Sequence, residues 1–326
     1  MIENMKNELF KERMKVSSMK KSDPWEVDKI KKICKKLKRG KARDRDDLIF
    51  ELFKPEVAGN DLIISITKMF NEIKETLNIP TFLQKVTITS LYKNKGLKSS
   101  FANQRGVFNV SKVRSILDKV LHEDVYDTID NQLSQSNIGG RKGRNIRDHL
   151  FIVYGNLHNV KNVSCPAVDI QSIDIRKCFD EMWYEDTHND IYDVKIKNDK
   201  FALIAKLDKV AKVIVKTPLG PTDEFTLDQL VMQGSVFGPI KATTQIGTLG
   251  SDCTNYNQGM FLYKNVLNIL PLSFIDDCLG FSYCGAKTEC NHERKNKLKK
   301  ADTESRQVQS HAFFKINKSL LYKLEG

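Results

Sequence analysis

The most constraining feature of the sequence is a pair of adjacent aspartates, Asp276 and Asp277, inside an otherwise apolar stretch. Residues 273–281 read Ser-Phe-Ile-Asp-Asp-Cys-Leu-Gly-Phe, so the two acids join two short segments with the composition of β-strands. Neighbouring carboxylates are costly to remove from water unless a positive group neutralises them. A solvated turn between two strands is the simplest interpretation, and a functional one requires a further acid in a comparable position.

Asp174 is such an acid, because it ends the apolar strand predicted at 167–174. If that strand lies beside the 272–283 hairpin in one sheet, Asp174, Asp276 and Asp277 converge at one edge. Three carboxylates at one place suit hard divalent cations, which means magnesium or manganese. Two such ions about 4 Å apart can hold the attacking and leaving oxygens of a phosphoryl transfer. The convergence is a prediction that a structure can test.

The composition is compatible with this chemistry. The formal net charge of +12 favours a polyanionic partner such as nucleic acid, although an ordinary basic protein could carry the same charge. The 326 residues, of which 40% are hydrophobic, suffice for a core and about two subdomains. No apolar run is long enough to span a bilayer, and the N-terminus is too polar for a secretory signal. Seven scattered cysteines favour reduced thiols, so an intracellular protein, nuclear or cytoplasmic and not secreted, is expected.

Apolar periodicity predicts a mixed chain of helices and strands. Helical spacing is found at 61–77, 113–129, 149–160 and 200–210. Alternation typical of strands is found at 86–92 and 106–110, and a hairpin is predicted around 213–220. Residues 1–45 are rich in Lys and Arg and show no continuous apolar stripe. The basic tract 29–45 either follows a phosphate backbone or forms a solvated helical face.

Six segments, taken in order, resemble motifs of reverse transcriptases. Phe274-Ile-Asp-Asp277 resembles the Tyr/Phe-X-Asp-Asp box, and residues 172–180 resemble the Asp-X-X-X-Ala-Phe-Asp motif. Residues 233–240 are similar to the Pro-Gln-Gly-Ser-X-X-Ser-Pro loop. Three further segments, 79–106, 134–144 and 318–326, resemble regions of the enzymes of non-LTR (LINE-like) retrotransposons.

This resemblance implies an RNA-directed DNA polymerase that adds dNTPs to a DNA primer on an RNA template. The cofactor would be two Mg2+ ions, with Mn2+ as the alternative. The catalytic acids and metal ligands would be Asp174, Asp276 and Asp277, and the backbone carbonyl of Ile175 would complete a metal shell. The residues implied in nucleotide binding are Lys93, Arg105, Ile175, Phe179, Gln233, Gly234 and Lys318.

The resemblance gives some of these residues separate roles, and each also has a simpler interpretation. Phe179 matches the steric gate that rejects a ribose 2′-hydroxyl, but without the motif it would be a core aromatic. Lys93 and Arg105 match residues that grip the incoming triphosphate, but alone they would be surface charges. Gln233 and Gly234 would line the nucleotide and template pocket. Lys318 would lie near the leaving pyrophosphate as a proton donor.

The fold implied is an α+β right-hand polymerase. A basic N-terminal extension at 1–24 would precede fingers at 25–165 and a palm at 166–326, whose antiparallel sheet is backed by helices. A thumb and an endonuclease are not found in these residues, so a fragment of a longer reading frame, or a decayed copy, is expected. The loop 41–47 lacks the usual glycines, Cys178 replaces Ala and Gly238 replaces Ser, but none of these changes removes a metal ligand.

Two other functions stay open. A catalytically inactive nucleic-acid-binding remnant would explain the missing thumb and the positive charge. An RNA-dependent RNA polymerase shares the palm chemistry, although a bulky residue at Phe179 argues against it. A zinc site at Cys284, Cys290 and His292 lacks both a fourth ligand and a standard spacing. The oligomeric state is not determined by the sequence, and no membrane partner is expected.

Overall fold

A computed structural model describes most of the chain, and it divides into two compact units. The described residues are 2–100, 103–162, 168–175, 178–179, 182–217, 219–227, 231–255, 260–262, 267–269, 272–274, 277–283 and 314–315. Unit 1 comprises residues 1–132 and 183–238, and unit 2 comprises residues 133–182 and 239–326. Both units are discontinuous, whereas the fingers and palm ranges derived from the sequence are contiguous. The assignment of those ranges stays a prediction.

The chain alternates between helices and strands. The helices are α1 (Ile2–Met19), α2 (Val27–Lys35), α3 (Pro55–Thr76), α4 (Thr81–Gln84), α5 (Lys112–Asp130), α6 (Ile146–Asn162), α7 (Tyr184–Asp193), α8 (Asp199–Lys209) and α9 (Gly238–Asn255). The strands are β1 (Lys85–Tyr92), β2 (Gln104–Val110), β3 (Val168–Ile175), β4 (Lys212–Thr217), β5 (Gly220–Pro221), β6 (Met260–Leu262), β7 (Leu267–Ile269), β8 (Leu272–Phe274), β9 (Asp277–Tyr283) and β10 (Phe314–Lys315). None of these helices is long and apolar enough to cross a membrane.

The sheet of unit 1 has the strand order β2-β1-β4-β5. β1 pairs antiparallel with β2 and parallel with β4, whose first residue follows that of β1 by 127 positions (Lys85 opposite Lys212). Parallel neighbours need a long crossover, which is supplied here by the helices and by the unit 2 segment between them. One face of the sheet is covered by a core cluster to which Val86, Phe108, Val213 and Met232 contribute.

A buried carboxylate organises the loop that lacks the usual glycines. Asp44 is 5% exposed, and its side chain accepts hydrogen bonds from the backbone N–H groups of Asp46 and Leu48 at 3.0 and 2.9 Å. Its second oxygen accepts from the N–H of Lys112 at 2.7 Å, which satisfies an otherwise orphan donor at the start of α5. The loop is therefore held by side-chain hydrogen bonds rather than by glycine turns.

The N-terminal helices correct one interpretation of the sequence. Phe10 of α1 is 4% exposed and meets the ring of Tyr184 edge to face at 5.4 Å between centroids. α2 also has a buried face, formed by Ile30, Ile33 and Cys34. The interpretation that residues 1–45 lack an apolar stripe is therefore wrong. Abundant lysines hide an amphipathic spacing that each helix uses to pack against unit 1.

Unit 1 also contains a buried arginine at a helix junction. The guanidinium of Arg114 in α5 is 2% exposed and donates to the carbonyl of Leu207 at 2.6 Å and to the carboxylate of Asp208 at 3.2 Å. Asp118, one helical turn later, lies 3.7 Å from the Nε of Arg114. A buried charge is tolerated when it is paired and hydrogen-bonded in this way, so the arginine joins α5 to α8.

The main sheet of unit 2 has the order β10-β3-β9-β8, and every neighbouring pair is antiparallel. The glycine-rich loop that precedes α6 packs against α9 in the same unit. Thr243 of α9 donates from its hydroxyl to the carbonyl of Gly139 at 2.7 Å, and its own carbonyl accepts from Asn137 at 3.1 Å. Gly140, at a φ of +69°, has Pro239 so close that a Cβ would lie 2.8 Å from the proline ring. Glycine is required there for both reasons.

Candidate functional site

The register of the unit 2 sheet brings two of the three predicted catalytic acids together. β3 and β9 pair from Val168 opposite Tyr283 to Asp174 opposite Asp277, where the ladder ends. Residues directly opposite in an antiparallel pair have Cα atoms about 4.5–5.5 Å apart. Asp276 lies outside the described residues, but its chain neighbour Asp277 begins β9. Asp174 and Asp277 therefore share one register position.

The local sequence explains why the acids meet at the end of the ladder. β8 and β9 form a tight antiparallel hairpin in which Phe274 is opposite Asp277. β3 mixes apolar and polar residues and ends at Ile175, one residue after Asp174, whereas β9 begins at Asp277, so both acids lie at strand ends. A shift of one residue would turn every side chain of a strand to the opposite face, which fixes the register wherever one face is buried.

The donor types at this sheet end fit a hard divalent cation. Carboxylates and a backbone carbonyl, such as that of Ile175 directly after Asp174, are the oxygen ligands that Mg2+ and Mn2+ prefer. Among the described residues no group of three or more His, Cys, Asp or Glu could hold a metal ion, and Asp276 is not among them. The three-carboxylate metal site therefore stays a prediction.

A lysine that was not among the predicted site residues lies at the same register position. β10 pairs with β3 on the side away from β9, with Lys315 opposite Asp174 and Phe314 opposite Ile175. The predicted proton donor, Lys318, lies three residues later and outside the described residues. The sequence 313–318 contains both lysines, and only the strand pairing distinguishes them.

Phe179 lies in the same unit, in a turn four residues after the end of β3. Its neighbour Cys178 is buried at 5% exposed, whereas Phe179 is partly exposed. A core aromatic would be fully buried, and Phe179 is not. Its role as a steric gate stays a prediction.

The predicted triphosphate-binding residues lie together in unit 1, at the loop end of the β1–β2 hairpin. Arg105 of β2 is opposite Leu91, and the N–H of Lys93 donates to the carbonyl of Asn103 at 2.9 Å, which extends the ladder by one step. Lys93 is therefore two residues beyond the partner of Arg105, a diagonal position on the same face with a spacing of about 7–8 Å. Both side chains are exposed. The pairing thus gathers two cations on one exposed face.

Gln233 and Gly234 lie in a turn against the outer edge of β2, also in unit 1. The carbonyl of Gln233 accepts from the N–H of Phe108 at 2.9 Å. Gly234 has a φ of +95°, and a Cβ there would lie 3.2 Å from the carbonyl oxygen of Phe108. This glycine is required by its backbone conformation and by the close approach of the turn to the strand. Four of the predicted nucleotide-binding residues therefore lie on or beside the β1–β2 pair.

The cysteine and histidine residues of the rejected zinc site, 284, 290 and 292, lie outside the described residues. The interior histidine of α6, His149, has no catalytic surroundings. It is 6% exposed, its ring nitrogen is 2.9 Å from the carbonyl of Ser136, and burial lowers its pKa. It is a structural contact between a helix and the loop before it.

Comparisons with known proteins give a match in structure alone. No family model matches the sequence, and no curated protein matches it. Among solved structures, the chain is similar to an apo telomerase from Candida tropicalis truncated from the C-terminal domain, with a TM-score of 0.55 and 14% sequence identity. The match covers 80% of this chain and 56% of that one, so this chain spans little more than half of the telomerase chain. At 14% identity the likeness shows the fold alone.

Proposed function

We propose that this chain, whose α+β fold is that of a reverse-transcriptase-like polymerase, is an RNA-directed DNA polymerase derived from a non-LTR retroelement. It would add dNTPs to the 3′ end of a DNA primer on an RNA template. The fold is shared with telomerase, and fold alone does not determine the reaction. The specific activity therefore depends on the acids of unit 2.

The observation that carries the proposal is the pairing of Asp174 with Asp277 at the end of the β3–β9 ladder. Directly opposite residues of an antiparallel pair lie on the same face of a sheet. Two like charges held there repel each other unless positive charge neutralises them. Lys315, opposite Asp174, supplies one positive charge, and a bound divalent cation would supply more and would use the pair as ligands.

The reaction is an in-line transfer at the α-phosphorus of the dNTP. The primer 3′-oxygen forms the new P–O bond, the bond to the pyrophosphate breaks, and the 3′-hydroxyl proton leaves the site. When bound, Mg2+ would lower the pKa of that hydroxyl and neutralise charge on the leaving pyrophosphate. Asp174, Asp277 and Asp276 would hold the ions, with the carbonyl of Ile175 as a further oxygen ligand.

Other residues would bind and select the nucleotide. Lys93 and Arg105, diagonal neighbours on the β1–β2 face, would neutralise the triphosphate, and Gln233 and Gly234 would contact the nucleotide and template. Phe179 would exclude a ribose 2′-hydroxyl. Lys318 would donate a proton to the pyrophosphate.

Primer extension tests the proposal. The purified 326-residue chain is incubated with an RNA template, a labelled DNA primer, dNTPs and Mg2+, and products are resolved by length. The native chain is expected to extend the primer, and Asp174→Asn is expected to abolish extension because it removes a ligand charge. Asp169→Asn is the matched control, since it makes the same change in β3 but at a position opposite Ser282.

Circular dichroism of both variants tests whether they are folded. Full extension by Asp174→Asn would refute the assignment of the acids. Binding of nucleic acid without any extension by the native chain would select the inactive remnant. Preferential incorporation of ribonucleotides would favour an RNA-dependent RNA polymerase.

A further inference from the structure

Helix α6 in unit 2 has an unusual outer face. Four of its residues, Arg147, Phe151, Tyr154 and His158, are exposed and are spaced at i, i+4, i+7 and i+11. At 3.6 residues per turn they fall within an arc of about 60°, so they form one line along the helix. Phe151 is 79% exposed and Tyr154 is 71% exposed. We call these four residues the α6 stripe.

The opposite side of α6 is the side that packs against the rest of unit 2. His149 is buried there, and Ile152 and Val153 are partly buried. A surface helix normally has charged or polar residues on its outer side. Here that side has two large rings, with Leu150 next to them at 48% exposed. Exposed apolar surface of this kind marks an interaction site.

The charge around the stripe identifies the class of partner. The 22 residues from Arg141 to Asn162 contain five basic residues, Arg141, Lys142, Arg144, Arg147 and Lys161, and a single acid, Asp148. That acid is used internally, since its carboxylate accepts from the N–H of Asn145 at 3.0 Å. Lys142, Arg144 and Arg147 are exposed, at or just before the first turn of the helix. The surface of α6 and of the loop before it therefore combines exposed basic side chains with exposed aromatic rings, and it carries almost no negative charge.

We propose that the α6 stripe binds an unpaired nucleic-acid strand, with bases stacked on Phe151 and Tyr154 and with phosphates held by Arg144 and Arg147. Aromatic platforms beside a basic track are the general solution for sequence-independent binding of single strands, because every base has a π-face. Rings one helical turn apart lie about 4.5–6 Å apart along the axis, which lets successive unstacked bases use successive rings. The identification of this strand as the RNA template rests on the proposed function, whereas the binding itself does not.

Fluorescence anisotropy with a labelled single-stranded RNA, and with DNA of the same sequence, measures the binding. Phe151→Ala and Tyr154→Ala are each expected to weaken the Kd roughly tenfold for both strands. The rings are mostly solvent-exposed, so these changes leave the fold intact. Leu219→Ala is the matched control, because it removes a fully exposed apolar side chain from the β4–β5 turn of unit 1 and should leave the Kd unchanged.

Phe151→Leu separates stacking from plain apolar docking, since it keeps the hydrophobic surface and removes the ring. It is expected to bind as weakly as Phe151→Ala. Arg147→Ala is expected to reduce the slope of log Kd against log salt by about 0.7, the value for one lost phosphate contact on a single strand. Affinity for a blunt duplex, whose bases are already stacked, should be insensitive to either ring variant.

Unchanged single-strand affinity in Phe151→Ala and Tyr154→Ala would overturn the inference. Native affinity in Phe151→Leu, together with loss of a dimer in the alanine variants by size exclusion, would assign the face to a second copy of the chain instead. Primer extension separates this inference from the proposed function. A chain that never extends a primer but binds single strands through its rings would refute the polymerase and support the stripe.

Discussion

A partly buried carboxyl group in α7, Asp190, makes the stability of unit 1 depend on pH in an unusual direction. Burial raises the pKa of Asp190 in α7 to about 8, and the negative charges of Asp186 and Asp193 on the same helix act in the same direction. Lys6 and Arg13 of α1 oppose them, but each is committed to a neighbour: Lys6 bonds Asp186 at 2.7 Å and Arg13 bonds Asp193 at 2.7 Å. The folded state therefore holds a proton on Asp190 that the unfolded chain releases above about pH 4.

A carboxyl group whose pKa is higher in the folded state makes its full contribution to stability below the pKa that it has in the unfolded chain. For Asp190 this contribution is lost progressively as the pH rises towards 8. The loss is about 1.4 kcal/mol for each pH unit, so the interval from pH 4 to pH 7 sets an upper limit of about 4 kcal/mol. Because Asp190 is partly exposed, the loss of stability is smaller than this upper limit. Asp190→Asn, which is neutral at every pH, is therefore expected to be roughly 1–3 kcal/mol more stable than the native chain at pH 7.

Urea denaturation at pH 4.5, 6, 7 and 8, followed by circular dichroism, measures the difference in free energy of unfolding between Asp190→Asn and the native chain. The free energies of unfolding of Asp190→Asn and the native chain should nearly coincide at pH 4.5 and diverge as the pH rises. Glu185→Gln is the matched control on the same helix, because the charge of Glu185 is not among those that raise the pKa of Asp190. Its stability should differ from that of the native chain by no more than about 1 kcal/mol, and the difference should not grow with pH. A constant offset between Asp190→Asn and the native chain at all pH values, or no gain at pH 8, would refute the reasoning.

Two further changes test contacts inside unit 1 by the same measurement. Arg114→Met should lower the free energy of unfolding by about 3–5 kcal/mol, because it removes the buried guanidinium that pairs with the buried carboxylate of Asp118 and the partly buried carboxylate of Asp208, and a loss below 1 kcal/mol would contradict that account. Gly234→Ala should cost about 1–3 kcal/mol, because the residue combines positive φ with a close approach to a strand carbonyl. Gly40→Ala is its control, because Gly40 also has a positive φ but has open space where a Cβ would lie. An equal loss of stability in both variants would show that the closeness of Gly234 to the strand carbonyl is unimportant.

Elements with strong periodicity could be predicted from the sequence. The spacing of apolar residues in α5 and α8 and the alternation in β1 each identify an element within a few residues of its observed bounds. The register places Asp174 opposite Asp277, because Asp174 lies one residue before the end of β3 and Asp277 begins β9, whereas Asp276 lies outside the described residues and its position stays a prediction. The local sequence indicates where a strand stops, and this was sufficient to predict that Asp174 and Asp277 lie at strand ends.

Partners distant in sequence could not be predicted. No pattern in residues 1–19 shows that α1 packs on α7 and α8, because Phe10 is one of several apolar residues there and nothing local identifies its partners. The parallel pairing of β1 with β4 has no local signal either, since periodicity identifies a strand but not its neighbour. The α6 stripe was hidden for a similar reason, because an apolar residue in a helical pattern is expected to be buried until a structure shows that it is exposed.

The interleaved connectivity of unit 1 has a consequence for synthesis on the ribosome. One of its inner strands, β1, cannot acquire its parallel neighbour until residues near 212 have emerged, and unit 1 is not complete until residue 238 has been made. A nascent chain that ends near residue 165 would expose an unpaired edge of β1 and the apolar side chains that cover it. Translational arrest or a premature stop anywhere between β2 and β4 should therefore yield an aggregation-prone or protease-sensitive product, rather than a shorter autonomous domain.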